Sequence, residues 1–149
     1  MKIVIGSDHN AYELKKMLKE YIEVLGHEVI DVGCNSTDEI DYPNVAFSAC
    51  EYINNGRADR GILCCGTGIG MAMAANKIPG IRAAQCHDTY SAERAQLSNN
   101  AQIITLGSKV VGPEVAKHII KTYLSLNFEG GNSGRKIAQI MAKEAEHLK

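Results

Sequence analysis

A chain of 149 residues, 45% hydrophobic and 22% charged, has the size and balance of one folded domain rather than a disordered segment. Its 16 basic and 17 acidic residues are spread along the length and leave a net charge of −1, which argues against nucleic acid as a partner. No run of about 18 apolar residues is present to suggest a membrane span. Five cysteines, an odd number, follow a start at Met1 that lacks the basic, apolar and cleavage regions of a secretion signal, so reduced thiols in the cytoplasm are expected. His9, His27, His87, His118 and His147 are scattered, and neither C-x-x-C nor H-x-x-x-H occurs, so no metal site is expected.

In chain order, "KIVI" (2–5), "EVIDV" (28–32), "GILCC" (61–65), "IRAAQC" (81–86) and "QIITL" (102–106) read as strands. They are too continuously apolar to keep one face wet, which favours a parallel sheet covered on both sides. Between the first two, Leu14, Met17, Leu18, Tyr21, Ile22 and Leu25 form one stripe of an amphipathic helix, and Gly26 follows as its stop. Further helices are expected near 44–55, 69–77, 89–98 and 113–125, the last with Pro113 in its first turn. A glycine-rich break, "FEGGNSG", precedes a terminal amphipathic helix, "RKIAQIMAKEAEHL". Repeating strand–helix units give an α/β three-layer fold with right-handed crossovers, and no linker divides residues 1–149 into domains. The terminal segment, 129–149, suits packing on a neighbouring subunit or on its own sheet.

In an open parallel sheet, ligands bind beyond the carboxyl ends of the strands. Three such ends carry reactive groups: Asp8 and His9 after the first strand, Cys65 with "GTGIG" after the third, and His87 with Asp88 after the fourth. Gly66, Gly68 and Gly70 form neither a P-loop, since no Gly-Lys-Ser/Thr follows, nor the dinucleotide G-x-G-x-x-G. Glycines before a helix can turn backbone N–H groups toward one point, where an anion or a transient oxyanion binds, or they can simply make a tight turn. A thiol at such a helix start is favoured as thiolate. Cys65 therefore suits acyl transfer, with His9 or His87 as its activator, or proton removal beside a carbonyl, and a buried core role fits the same pattern. Cys64 should face the opposite way, into the core. Asp88 or Thr89 makes a good helix N-cap, and Lys109, Arg135 and Lys136 read first as solvated charges.

Together "IGSDHNA" (5–11), "DYPN" (41–44), "CGTGIGMAMAANKIPGIRAA" (65–84), "LGSKVVGPE" (106–114) and "FEGG" (128–131) resemble the type B ribose-5-phosphate isomerases and their relatives acting on galactose and allose 6-phosphates. The resemblance spans nearly the whole chain. It implies a five-stranded Rossmann-like sheet, a dimer or dimer of dimers with shared active sites, and cofactor-free interconversion of aldose and ketose phosphates. Residue by residue it implies Cys65 as the base and Thr67 as a proton shuttle. Gly66, Gly68, Ile69 and Gly70 would hold an enediolate with their backbone. Asp8 and Tyr42 would orient sugar hydroxyls, His9 would lie near the phosphate, and Asn99 would come from a partner subunit.

Two departures stand out. Most relatives have a ring-opening histidine where this chain has Ser98, which leaves Ser98 and His87 as the candidate ring-opening acids. A serine hydroxyl is a poor acid at neutral pH, so another group such as His87 must act, or an open-chain substrate is used. Where relatives grip phosphate with arginines, this chain has Lys109, Asn132 and Lys136, with Arg135 adjacent. Lysine keeps the charge without the planar two-point grip, and asparagine loses both. The expected activity is ribose 5-phosphate to ribulose 5-phosphate isomerisation, a pentose phosphate pathway step, with a hexose 6-phosphate as the alternative substrate. The alternative of another class is a non-catalytic phosphate-binding module, and a third is a thiol acyltransferase.

Overall fold

The computed structural model describes residues 1–148; the last residue of the expected 129–149 segment, Lys149, lies outside the described residues. In order come β1 (Lys2–Ser7), a 3-10 turn (His9–Ala11), α1 (Tyr12–Val24), β2 (Glu28–Asp31), α2 (Tyr42–Asn54), β3 (Arg60–Cys65) and α3 (Ile69–Ala75). Then follow β4 (Ala83–Gln85), α4 (Thr89–Leu97), β5 (Ile103–Gly107), α5 (Pro113–Leu124) and α6 (Asn132–His147). The five strands form one parallel sheet in the order β2-β1-β3-β5-β4. β3 and β5 are buried throughout, as their unbroken apolar runs require, while the edge strands β2 and β4 are partly open.

Each face of the sheet carries its own core layer. Ile5, Ile62, Cys64 and Leu106 belong with α1 and α5, through Leu18, Ile22, Ile119 and Tyr123. Val4, Leu63, Cys65 and Ile103 belong with α2 and α3, through Ala46, Ala49, Met71 and Ala75. This is the expected α/β three-layer, Rossmann-like arrangement.

Two elements are shorter than their residue patterns suggest. α3 ends at Ala75 because the Asn76 amide turns outward to pair with the backbone of Ala83, at 2.8 and 2.9 Å. The fourth strand begins only at Ala83, since the N–H of Arg82 is taken by Gln102 Oε1 at 2.8 Å instead of a ladder partner. α6 starts three residues earlier than its apolar run, at Asn132. It lies against its own domain through Ile137, and Glu144 Oε2 accepts the Gly80 N–H at 3.0 Å, but Ile140 on the same helix stays 55% exposed.

Candidate active site

From β1 the chain crosses to β2 on one side, while β3 lies on the other. The segments leaving β1 and β3 diverge at this switch of direction, and such a point opens a crevice. A cavity of about 870 Å³ occupies it, walled by Asp8, His9, Tyr42, Cys65, Gly66, Thr67, Ile69, Gly70 and Lys109. Gly68 sits in the same loop but outside the lining.

Successive strand side chains face opposite ways, and the two cysteines ending β3 show what that does to a thiol. Cys64 belongs to the layer under α1 and α5, where burial pushes its thiol well above the ordinary range. Burial likewise raises Cys50 to about 11 and Cys86 to about 12. Cys65 faces the other side and, though only 5% exposed, borders the cavity. Its sulfur accepts the Gly68 N–H at 3.1 Å.

The loop that makes this contact depends on its glycines. Gly68 holds φ at +78°, a left-handed value that strains other residues. At Gly70 an added Cβ would stand 2.4 Å from Tyr42 Cζ, so the bare backbone lets the tyrosine ring rest on the loop. Two loop amides are already committed, that of Gly68 to sulfur and that of Ile69 to Thr67 Oγ1 at 3.2 Å. The amides of Gly66, Thr67 and Gly70 have no partner among the described residues. Of the loop amides expected to hold an oxyanion, those of Gly68 and Ile69 are therefore spent, and three donors remain free among the described residues. Gln85 Nε2, from β4, donates to the Thr67 carbonyl at 2.8 Å and braces the loop from beneath.

Beside Cys65, one residue past the Ser7–Cys64 register pair, Asp8 is 5% exposed and caps the 3-10 turn, its Oδ1 accepting the Asn10 N–H at 3.0 Å. His9 Nδ1 accepts the Ile40 N–H at 3.2 Å, which ties the segment before α2 to the cavity wall and leaves Nε2 as the proton-bearing nitrogen of the neutral ring. Lys109 follows β5, its N–H on the Gly66 carbonyl at 3.0 Å and its side chain alongside Gly66. A thiol, a carboxylate, an imidazole, a phenol and an ammonium thus surround one cavity. Such a set can move protons on a small anionic ligand.

The remaining expected residues lie elsewhere. His87 is outside the cavity, with Nε2 accepting the Gly107 N–H at 2.9 Å. Burial draws its pKa below the usual histidine value, so this imidazole is neutral at pH 7. Asp88 is the N-cap of α4, and the Ser91 hydroxyl and N–H it accepts hold its carboxyl below the usual range. The Ser98 hydroxyl accepts from Arg94 at 3.1 Å. Asn99 borders a separate hollow of about 240 Å³ with Ala83 and Ile137. Asn132, Arg135 and Lys136 occupy the first turn of α6, where the guanidinium donates to Asn132 Oδ1 at 3.1 and 3.2 Å. Sequence reasoning passed over Gln85, whose role is set by a neighbour far away in the chain. It also passed over Lys15, a charge on the apolar stripe of α1 that could have been noticed.

Comparison with known proteins turns this geometry into a family assignment. Residues 3–140 match the family model described as Ribose/Galactose Isomerase. The chain belongs to that family. It is 51% identical over 141 residues to a Pectobacterium atrosepticum protein named D-erythrulose-4-phosphate isomerase, covering 94% of this chain and 93% of that one. It is 48% identical over 137 residues to the Ribose-5-P isomerase B of Listeria innocua, covering 92% and 93%. Among solved structures, the Clostridium thermocellum Ribose-5-Phosphate Isomerase B superposes with a TM-score of 0.97 at 41% identity, covering 99% of both chains. This member of the ribose/galactose isomerase family is a sugar phosphate isomerase built on the shared fold.

Proposed function

We propose that the protein interconverts an aldose phosphate and a ketose phosphate through an enediolate, with Cys65 as the base. The observation that carries this is the placement of Cys65 on the wall of a cavity it shares with Asp8 and His9, with an amide donated to its sulfur. In the first step the thiolate takes the proton from the sugar carbon beside the carbonyl. The electron pair moves to the carbonyl oxygen, and the free amides of Gly66, Thr67 and Gly70 support the negative charge there. Thr67 passes a proton between the two oxygens, and return of a proton to the neighbouring carbon gives the isomer. A positioned base contributes about 10²- to 10⁴-fold, and each oxyanion donor about 3 kcal/mol. A second copy of the chain completes the site with Asn99, Asn132, Arg135 and Lys136. Ile69 and Met73, 52% and 64% exposed at the cavity rim, offer it an apolar seat.

Ribose 5-phosphate with ribulose 5-phosphate is the substrate pair supported by the relatives of that name, and a hexose 6-phosphate is the alternative. A specific observation favours a third pair, erythrulose 4-phosphate and its aldose. Ribose 5-phosphate is mostly a closed ring, which needs a proton donor on the ring oxygen. Of the two donors considered from the sequence, Ser98 is engaged by Arg94, and His87 is neutral and bonded to Gly107 outside the cavity. In a tetrose 4-phosphate the terminal oxygen is esterified, no hydroxyl is left to close a five-membered ring, and no opening step is required.

The test is turnover in heavy water with each sugar phosphate, following product and deuterium at the carbon beside the carbonyl. Solvent deuterium in product is expected. With erythrulose 4-phosphate the rate should stay proportional to enzyme concentration, whereas with ribose 5-phosphate it should level off at the spontaneous rate of ring opening. Binding of sugar phosphates without turnover or exchange would leave a phosphate-binding module, and a covalent adduct on Cys65 would mark an acyltransferase.

A further inference from the structure

Lys15 occupies a position where the pattern of α1 calls for hydrocarbon, three and seven residues before Leu18 and Ile22, and it is 2% exposed. All three of its ammonium protons have acceptors: Asp31 Oδ1 at 3.0 Å, Asp31 Oδ2 at 2.9 Å, and the Cys34 carbonyl. Asp31 Oδ1 also accepts the Gly33 N–H at 2.9 Å. None of these residues lines the cavity. Stability alone is a weak reason for such a pair, because well-packed neutral groups of similar volume commonly do as well or better.

The segment between β2 and α2 supplies the reason. It carries Glu39, Ile40 and Asp41 into the cavity wall and delivers Tyr42 onto Gly70. At its start, backbone bonds join it to β1, from Ser7 N–H to the Gly33 carbonyl at 2.7 Å and from Cys34 N–H to the Ser7 carbonyl at 2.9 Å. At its end the Ile40 N–H reaches His9. Between these points residues 35–39 are exposed. The ammonium of Lys15 grips the segment where it leaves the sheet, at both Asp31 and Cys34, and fixes the direction in which it sets out.

We infer that Lys15 and Asp31 are positioning residues for the isomerase site, an ionic strut with a buried lysine end and a part-buried carboxylate, which aims the β2–α2 segment so that His9 and Tyr42 hold their places around the cavity that Cys65 lines. This rests on the cavity being the active site. A misplacement of about 1 Å by a remote substitution can cost about 10²-fold in rate. Lys15 touches no reacting atom, so its effect must pass through the segment.

The experiment compares the parent, Lys15→Met, and the double variant Lys15→Met/Asp31→Asn as full chains. It measures unfolding, kcat and KM with a sugar phosphate turned over by the parent, and amide exchange over 33–42. Lys15→Met leaves the part-buried Asp31 carboxylate without its cation and the Cys34 carbonyl without its donor, so both stability and kcat/KM should fall, the latter about 10- to 100-fold. The double variant removes the unpaired carboxylate as well. Its stability should return toward the parent while kcat/KM stays at least about tenfold down and residues 33–42 exchange faster. Recovery of activity together with stability, or a Lys15→Met enzyme within about twofold of the parent, would make the pair merely structural. An inactive parent is a different failure, because it overturns the proposed isomerase and this strut together.

Discussion

The two halves of the sheet hold the expected site residues in different ways. Around β1 and β3, Asp8, His9, Tyr42, Cys65 and Thr67 already line one cavity within a single chain, joined by Lys109 from the end of β5. Around β4 and β5, the other expected groups are dispersed: His87 and Ser98 are engaged in local hydrogen bonds, Asn99 borders another hollow, and Asn132 and Arg135 pair with each other on α6. One half is a single cavity lined by groups able to exchange protons. The other presents polar groups and exposed apolar side chains to whatever docks beside it. Direct chemistry should therefore be sensitive to changes in the first half, and assembly and substrate range to changes in the second.

The largest effect expected from reshaping the cavity without removing a side chain that lines it is at Gly70. Gly70→Ala pushes a methyl into the Tyr42 ring, and kcat/KM should fall about 100-fold with little change in folded content, read by steady-state kinetics and circular dichroism. The division between halves can be sharpened by co-refolding two weak variants, Cys65→Ala and Asn99→Ala. If Asn99 serves the neighbouring copy, random pairing leaves one intact site in each mixed dimer, and about a quarter of parental activity should return. No recovery above the two variants alone would mean that each chain completes its own site.

The amino ends of the strands give a control. Arg60, 7% exposed, donates to the carbonyls of Tyr123 and Leu126 at 2.8 and 2.6 Å and to Asn127 Oδ1 at 3.1 Å, at the end of the sheet away from the cavity. Arg60→Met should cost about 1–3 kcal/mol in chemical unfolding, since it orphans the buried Tyr123 carbonyl, while turnover per folded molecule stays the same.

The smallest effect concerns pH. The folded state lowers the pKa of His87 below 6.5, so the unfolded chain binds its proton more readily. Stability is full above 6.5 and is lost as pH falls through that value toward the folded pKa, where the protonated ring can no longer accept from Gly107. His87→Gln should flatten this acid limb in unfolding curves measured between about pH 7 and 5.

Much of this was legible in the letters because it depends on local period. Five apolar runs became five strands, and the stripe from Leu14 to Ile22 became α1. The opposite facing of Cys64 and Cys65 follows from strand geometry alone. Strand order was not legible, because crossover length does not say which neighbour a strand will choose. That order puts β5 between β3 and β4, which carries His87 away from Cys65. Nor was the Lys15–Asp31 pair legible, since it joins residues 16 apart through a contact that only the packed sheet creates. Helix ends were blurred for a similar reason: the Asn76 amide stops α3 by pairing with Ala83 across a turn.

The most direct test of the account is to place Cys65→Ala in heavy water with a sugar phosphate that the parent converts, and to follow deuterium in the recovered sugar together with product. The variant should keep the parental fold and still bind the sugar phosphate, yet show neither turnover nor solvent label. Deuterium entering at the parental rate without the thiol would contradict the assignment of Cys65 as the base.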